Sequence, residues 1–470
     1  MNDTMTESTD DLSALAWVHE ELRRSMEAAH KGLRRFLKES DALGESDLDA
    51  VDPAILRAAR SQFHQGAGAL ELINLPAAAK VLRASEAAVN RVIAKPDTLN
   101  LQTVEEIERA SFALLDYLSR LLGGARLTPL AMFPQYRALQ LAAGADRIHP
   151  ADLWAPDWQW RALPSDPQAQ PRQPDATTHA TLENLLLMMM RGQQAHAAMA
   201  RMSDVCAGLG AGAGASDSHV ATLWKLASAV FEAQSLGLLG PDVYSKRLAP
   251  RLLAQFRSLE RGETDVSQRL VLDLLFFCAQ SASPGDGRRA PRLASVRQVY
   301  ALAHHVPVDY SVSALGRFDP AWIAQARKRV VAAKESWSAV AGAEMHRLAG
   351  LAEQFSLVGD SLRRLFPMGE TFADELQQAV LQTQQHGHAP PAALAMEVAT
   401  SLLYVEAVLE SADFDHAELP QRVRHLAERL SRVRQGQPPE PLEAWMEELY
   451  RRVSDRQTMG SVVQELRATL

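Results

Sequence analysis

Residues Ser61–Leu72 read SQFHQGAGALEL, and they sit inside a segment whose pattern predicts one helix from Asp52 to about Ile73. Asp52 supplies an N-cap oxygen, and Pro53 stands at the first helical position, where its missing N–H costs nothing. Leu56, Ala59, Phe63, Ala67, Leu70 and Asn74 recur at helical spacing and mark a buried face. By the same periodicity Ser61 and Gln65 point away from it. The unusual feature is Gly66-Ala67-Gly68 in mid-helix, because each glycine there costs about 1 kcal/mol against alanine. Such a patch is tolerated when something approaches the helix backbone closely. We expect Gln62, Gln65, Gly66 and Gly68 to form a docking surface for a partner.

Outward from this helix, the neighbouring segments have the same character. A first helix is expected from Leu12 to about Lys38, with Leu15, Val18, Leu22, Met26 and Leu33 on its apolar stripe. Pro76 opens a third helix, with Leu82, Val89 and Val92 inward, and Pro96 stops it. A fourth runs from about Thr103 to Leu122 and exits at Gly123-Gly124. Long helices joined by short loops predict an up-down four-helix bundle over residues 12–124, preceded by a disordered tail at 1–11.

The prolines at 129–174 and the cluster of Trp154, Trp158 and Trp160 mark residues 125–177 as a linker, extended and solvated from Ser165 to Asp175. Its aromatic part suits either a docking surface or a strap onto its own bundle. From 178 the chain is helical again, as a domain at 178–305, a connector at 306–320 and a domain at 321–457. Leu182–Met202, apolar almost all round, is expected to be a buried central helix, with its methionines as core or as an adaptable surface. Gly208–Ser216, GLGAGAGAS, lacks the Gly-Lys-Ser/Thr ending and preceding strand of a phosphate loop, and reads as a flexible connector. Long helices are expected at 241–260 and 321–365. No alternating strand pattern occurs, so the fold class is all-α. Residues 462–470 echo residues 18–26 of the first helix, with Glu-Leu-Arg shared, which suggests a repeated domain starting at 458–470.

Composition narrows the function. In 470 residues, 49 Lys and Arg stand against 57 Asp and Glu, a net charge of -8. That balance does not favour a nucleic-acid-binding surface. Cys206 and Cys278 suit buried thiols better than a disulfide framework. The polar, acidic N-terminus is unlike a signal peptide, and the apolar runs at 185–190 and 270–279 are too short to span a bilayer. A cytoplasmic protein without membrane insertion is expected. Neither His304-His305 nor His386-Gly387-His388 has further ligands at metal spacing. We expect no catalytic residue, no metal and no cofactor.

The central stretch resembles the phosphoacceptor helix of histidine phosphotransfer (Hpt) domains, His-x-x-Lys-Gly-Ser-Ala-Gly-x-Leu-Gly-Leu. Ala67-Gly68-Ala69-Leu70 and Leu72 match in place, and Ser61 falls where that family carries its phosphorylated histidine. A shifted register makes His64 the acceptor instead. LAWVHEELRRSMEAAHKGLRRFLKE, PLAMFPQYRALQLAAGADRIHPADLW and VSQRLVLDLLFFCAQ are similar to the N-terminal region of the PilL/ChpA group. These are CheA-like hybrid histidine kinases of the type IV pilus chemosensory system, and FimL-like adaptors of that pathway share the region. The resemblance implies a degenerate Hpt-like bundle that binds pathway partners, such as response-regulator receiver domains or pilus and polar scaffold proteins, without accepting phosphate. The chain would then be the head of a hybrid kinase, at the cell pole through partners, or a stand-alone adaptor. An active phosphotransfer segment using His64 and an unrelated helical interaction protein are the alternatives.

Overall fold

The computed structural model describes residues 3–43 and 52–452, apart from short gaps at 126, 155–157, 193, 214–217, 241, 284–288, 303–304, 314, 412–413 and 415. The expected helix start at 458–470 lies outside the described residues. All secondary structure among those described is helical, so the chain is all-α.

Two compact units are formed, one from Met1–Ala110 with Arg126–Ser313, the other from Ser111–Ala125 with Ala314–Leu470. In the first, α1 (Asp3–Leu43), α2 (Ala54–Leu72) and α3 (Pro76–Ala94) pack in sequence, α2 between its neighbours. The helix α1 begins inside the stretch read as a disordered tail.

The ends of α2 follow from local chemistry. Asp52 Oδ1 accepts the Ala54 N–H at 2.8 Å, and Pro53 occupies the cap itself. At the other end Asn74 turns left-handed with φ 59°. Leu75 N–H bonds to Leu70 O at 2.8 Å and Asn74 N–H to Glu71 O at 3.1 Å, the paired closure of a Schellman end. Asn74 therefore terminates the helix, exposed, rather than continuing its buried face. Leu56, Ala59, Phe63, Ala67 and Leu70 are buried as the pattern predicts.

The fourth helix, α4 (Leu101–Leu122), is where the expected bundle at 12–124 departs from the observed units. Its first half belongs to the first unit, where Arg34 of α1 grips the buried Glu108 with two hydrogen bonds. Residues 111–125 belong to the second unit, where Ala113 lies against Gly316 and Asp116 accepts the Gly316 N–H at 3.4 Å. Within the stretch read as a linker, α5 (Phe133–Ala143) packs on α3. Pro134 stands in its first turn, a position that tolerates proline.

Further along, α6 (Ala176–Met190) and α7 (Ala195–Gly212) replace the single helix expected over 182–202. Gly192 and Gln194 both take positive φ between them. Met190 is exposed, and α6 buries only Thr178, Leu182 and Leu185. The central buried helix is instead α8 (Ser218–Ser235), which packs against α7, α10 (Gln268–Gln280) and α11 (Pro291–Val299). Its Leu223, Trp224, Leu226, Val230 and Phe231 are almost wholly enclosed. The helix α9 (Leu248–Glu260) starts later than expected, after a one-turn 3-10 helix at Ser245–Arg247.

In the second unit, α12 (Pro320–Ala341) packs on α13 (Leu348–Leu365) and α15 (Ala392–Ser411), α13 on α14 (Gly369–His386), and α16 (Leu419–Arg434) on α14 and α15. The helix expected at 321–365 is thus two, divided where Ala343 turns left-handed with φ 70°. Trp337 and Phe355 are fully buried at the centre, with the Trp337 indole N–H donated to Ala395 O at 3.1 Å. Among the described residues α15 is the one helix long and apolar enough to cross a membrane. Its Leu394, Val398, Leu402, Val405 and Leu409 are spent on this core.

Candidate docking face and strapped helices

The residues singled out on α2 separate into two sets. Ser61 and Gln62 are half-buried, His64 and Gln65 exposed, and Gly66 buried. Gln65 Nε2 donates to Ser61 Oγ at 3.4 Å. A β-carbon on Gly66 would meet Leu22 Cδ2 of α1 at 2.8 Å and Leu82 Cδ1 of α3 at 2.9 Å, whereas Gly68 has nothing within 4 Å of that position. The close approach that explains Gly66 is therefore made by the protein's own core. Gly66 thus does not belong to the expected docking surface, whereas Gln62, Gln65 and Gly68 stand on the outward side.

Beside that surface lies a charged cluster drawn from α2 and α3. His64, whose side chain is 61% exposed, has its Nδ1 3.0 Å from Glu86 Oε1 and 2.9 Å from Arg83 Nη1. Arg83 also pairs with Glu71 and Glu86, each at 3.2 Å. The His64 tautomer that donates its Nδ1–H to Glu86 carries its lone pair on Nε2, while the other tautomer accepts from Arg83. The sequence pattern placed no charged partner beside His64. The missing signal was Arg83-x-x-Glu86 on α3, which only the α2–α3 packing brings to His64.

The second feature is built by the linker. Trp154 is buried against Phe276 and His305, and Trp160 stacks on His219 with ring centroids 4.0 Å apart. The following residues lie extended over α7 and α8. Lys225 Nζ donates to Leu163 O at 2.8 Å, Arg172 N–H to Gly208 O at 2.9 Å, and Arg292 Nε to Asp166 at 2.7 Å. These contacts make a strap of the stretch expected to be solvated.

The same contacts explain the glycines read as a flexible connector. Residues 208–212 are the last turn of α7. A β-carbon would lie 2.5 Å from Gln170 O at Gly208, 2.9 Å from Lys225 Cγ at Gly210, and 2.0 Å from Arg172 O at Gly212. At Gly208 and Gly212 glycine is present because backbone meets backbone, and at Gly210 because the Lys225 stem packs against it. Residues 214–217 of that stretch are outside the described residues. Between strap and helices remains a cavity of about 400 Å³, lined by Pro164, Asp166, Gly210, Lys225, Ser228 and Arg292 among others. Burial lowers the pKa of Lys225, and the cavity's Arg292 is committed to Asp166, Asp204 and Ser203.

Other sequence candidates stay apart. Cys206 and Cys278 are both buried, and burial pushes each thiol well above the usual range, which disfavours the reactive thiolate. His386 and His388 stack on one another at 5.5 Å; His304 lies outside the described residues. Among the described residues no three His, Cys, Asp or Glu side chains gather as metal ligands.

Neither the curated proteins nor the solved structures contain a match to the chain. A family model does match over the second half of the first unit, ending at the Ser313 that also closes that unit. It is the second domain of the FimL scaffold protein, and it covers residues 167–313.

Proposed function

We propose that the protein is a scaffold of the type IV pilus chemosensory pathway that binds pathway proteins without accepting phosphate. The observation that carries this reading is the similarity of residues 167–313 to the FimL scaffold domain. The α2 stretch supports the phosphate half of it: Ser61 stands at the Hpt acceptor position, and a hydroxyl lacks the imidazole nitrogen that forms the labile phosphoramidate. Receiver domains or polar scaffold proteins are the partners this reading implies, in the cytoplasm and at the pole. The binding face is Gln62, Gln65 and Gly68 with the adjoining Arg83–Glu86 cluster. A hybrid-kinase parent and a stand-alone adaptor both suit it.

The test compares wild type with Gln65→Arg in pull-downs against the pathway's receiver domains and polar scaffold proteins. Gln65 is exposed, so the change should alter stability by less than about 0.5 kcal/mol. Loss of binding in a normally melting variant supports the face; unchanged binding removes it.

A second reading has one specific observation in its favour. His64 is more exposed than Ser61, and its Nδ1 faces the Glu86 carboxylate. An imidazole whose Nδ1–H is held by a carboxylate leaves its Nε2 lone pair free to attack. Incubation with a phosphorylated receiver or radiolabelled kinase separates the readings. The scaffold reading expects no label; acid-labile label that vanishes in His64→Ala would establish an active phosphotransfer segment.

A further inference from the structure

A groove of about 490 Å³ lies between α3, the segment after α5, and α10. Its charges are unevenly matched. Asp273, 1% exposed, is gripped by Arg147 Nη2 at 2.6 and 2.9 Å and by Arg251. Asp152 accepts from Arg147 at 2.6 Å and from the His149 N–H at 3.1 Å. The two carboxylates thus have their partners. Two further cations line the same groove, and its lining holds no carboxylate beyond these two. Lys80 Nζ donates to a neutral acceptor, Asp152 O, at 2.6 Å, and Arg269, 64% exposed, comes no closer to Asp152 than 3.6 Å.

Lys80 and Arg269 also sense one another. Partial burial lowers the Lys80 pKa, Asp152 opposes that, and Arg269 lowers it further. Four cations therefore surround two carboxylates here, in a chain whose net charge is -8. An anionic group between Lys80 and Arg269 would relieve both the desolvation and the repulsion. Next to these cations the groove wall is apolar, formed by Leu272, Trp154 and the half-buried Trp158. The Trp154 indole N–H is buried without an acceptor.

We propose that this groove docks an acidic segment of a partner protein, a carboxylate seated between Lys80 and Arg269 with a neighbouring aromatic side chain against Trp158 and Leu272. The scaffold reading enters only in making the occupant a protein. The groove is separate from the α2 face, so each can fail alone.

The test uses the full chain and a fluorescein-labelled peptide, Gly-Asp-Glu-Phe-Asp-Glu-Gly, with its neutral counterpart Gly-Asn-Gln-Phe-Asn-Gln-Gly. Fluorescence anisotropy is expected to show tighter binding of the acidic peptide, weakening as salt rises from about 0.1 M to about 1 M and the Debye length falls from ~10 to ~3 Å. Lys80→Gln with Arg269→Gln should weaken it about tenfold or more while thermal melting stays unchanged, and Trp158→Ala should remove the preference for phenylalanine over alanine in the peptide. Equal binding of the two peptides, or full binding by the double variant, overturns the proposal. So does binding of inorganic phosphate that the acidic peptide cannot displace, which would make this a small-anion site only. Because the peptide is a designed probe, its binding with failed pull-downs would sink the scaffold reading and leave the groove standing.

Discussion

The carbonyl oxygen of Arg172 lies 2.0 Å from the point where a β-carbon on Gly212 would stand. Both are backbone features, so neither can swing aside as a long side chain would. Gly212→Ala is therefore expected to lift the strap from α7 and to break the Arg172 N–H to Gly208 O bond. A loss of about 1–3 kcal/mol in urea denaturation is the expected size for such overpacking. Limited proteolysis should also cut faster within 161–175, and unchanged cleavage would show that the strap is held elsewhere.

Gly66 and Gly68, two residues apart on α2, should respond to alanine with opposite signs. At Gly68 the new methyl meets nothing, so the helix gains its propensity difference, about 0.5–1 kcal/mol. At Gly66 the methyl displaces Leu22 and Leu82, both almost wholly buried. The repacking there should exceed that gain and leave a net loss of roughly 1–2 kcal/mol. Denaturation midpoints of the two variants measure both effects; stabilisation by Gly66→Ala would contradict the packing described.

Among the described residues of the second unit, Arg429 and Glu397 form a buried ion pair. Arg429 donates to Glu397 at 2.6 and 2.9 Å, both side chains under 5% exposed, and its remaining N–H groups reach Glu440 O and Pro441 O. Arg429→Met alone strands a buried carboxylate and should cost about 3–5 kcal/mol. Combining it with Glu397→Leu should recover most of that loss. A double variant as unstable as the single one would assign the cost to the freed carbonyls of 440 and 441 instead.

Two buried histidines make stability depend on pH. Burial lowers His30 and His149 from 6.5 to about 4. Glu108 opposes the shift at His30, with Arg34 adding to it. At His149 Asp273 and Asp152 oppose it, with Arg147 and Arg251 adding to it. A folded value below the unfolded one means the unfolded chain binds more protons between these limits. The contribution is whole above about pH 6.5 and is lost as the pH falls towards 4, up to about 3 kcal/mol for each imidazole. His149→Asn retains an acceptor where His149 Nδ1 takes the Ala151 N–H. Its stability should therefore fall less steeply than wild type across that range, and parallel curves would exclude His149 from the effect.

What the sequence made legible was local. Pro76 and Pro96 bracket α3, which runs from Pro76 to Ala94, and the apolar period of α2 places Phe63, Ala67 and Leu70 in the core. What it hid depended on contacts between distant residues. The glycines of 208–212 look like a loop until residues 170–172 are laid across them. Leu182–Met202 carries enough apolar residues for a central helix, yet periodicity cannot register that the chain turns at Gly192 and Gln194. On α2, propensity identified Gly66 as unusual but could not say from which side it is approached. The charged surroundings of His64 were out of reach for the same reason, because Arg83 and Glu86 stand on a different helix.

The assignment of residues 111–125 to one unit and of 126–313 to the other also orders events during synthesis. The second half of α4 leaves the ribosome long before residues 314 onward, its partners in the finished fold. Leu114 and Leu118 of this half-helix are fully buried once folding is complete, and the whole first unit can be made before residues 314 onward exist. A nascent chain stalled near residue 313 would show how far these side chains are covered before the second unit is complete.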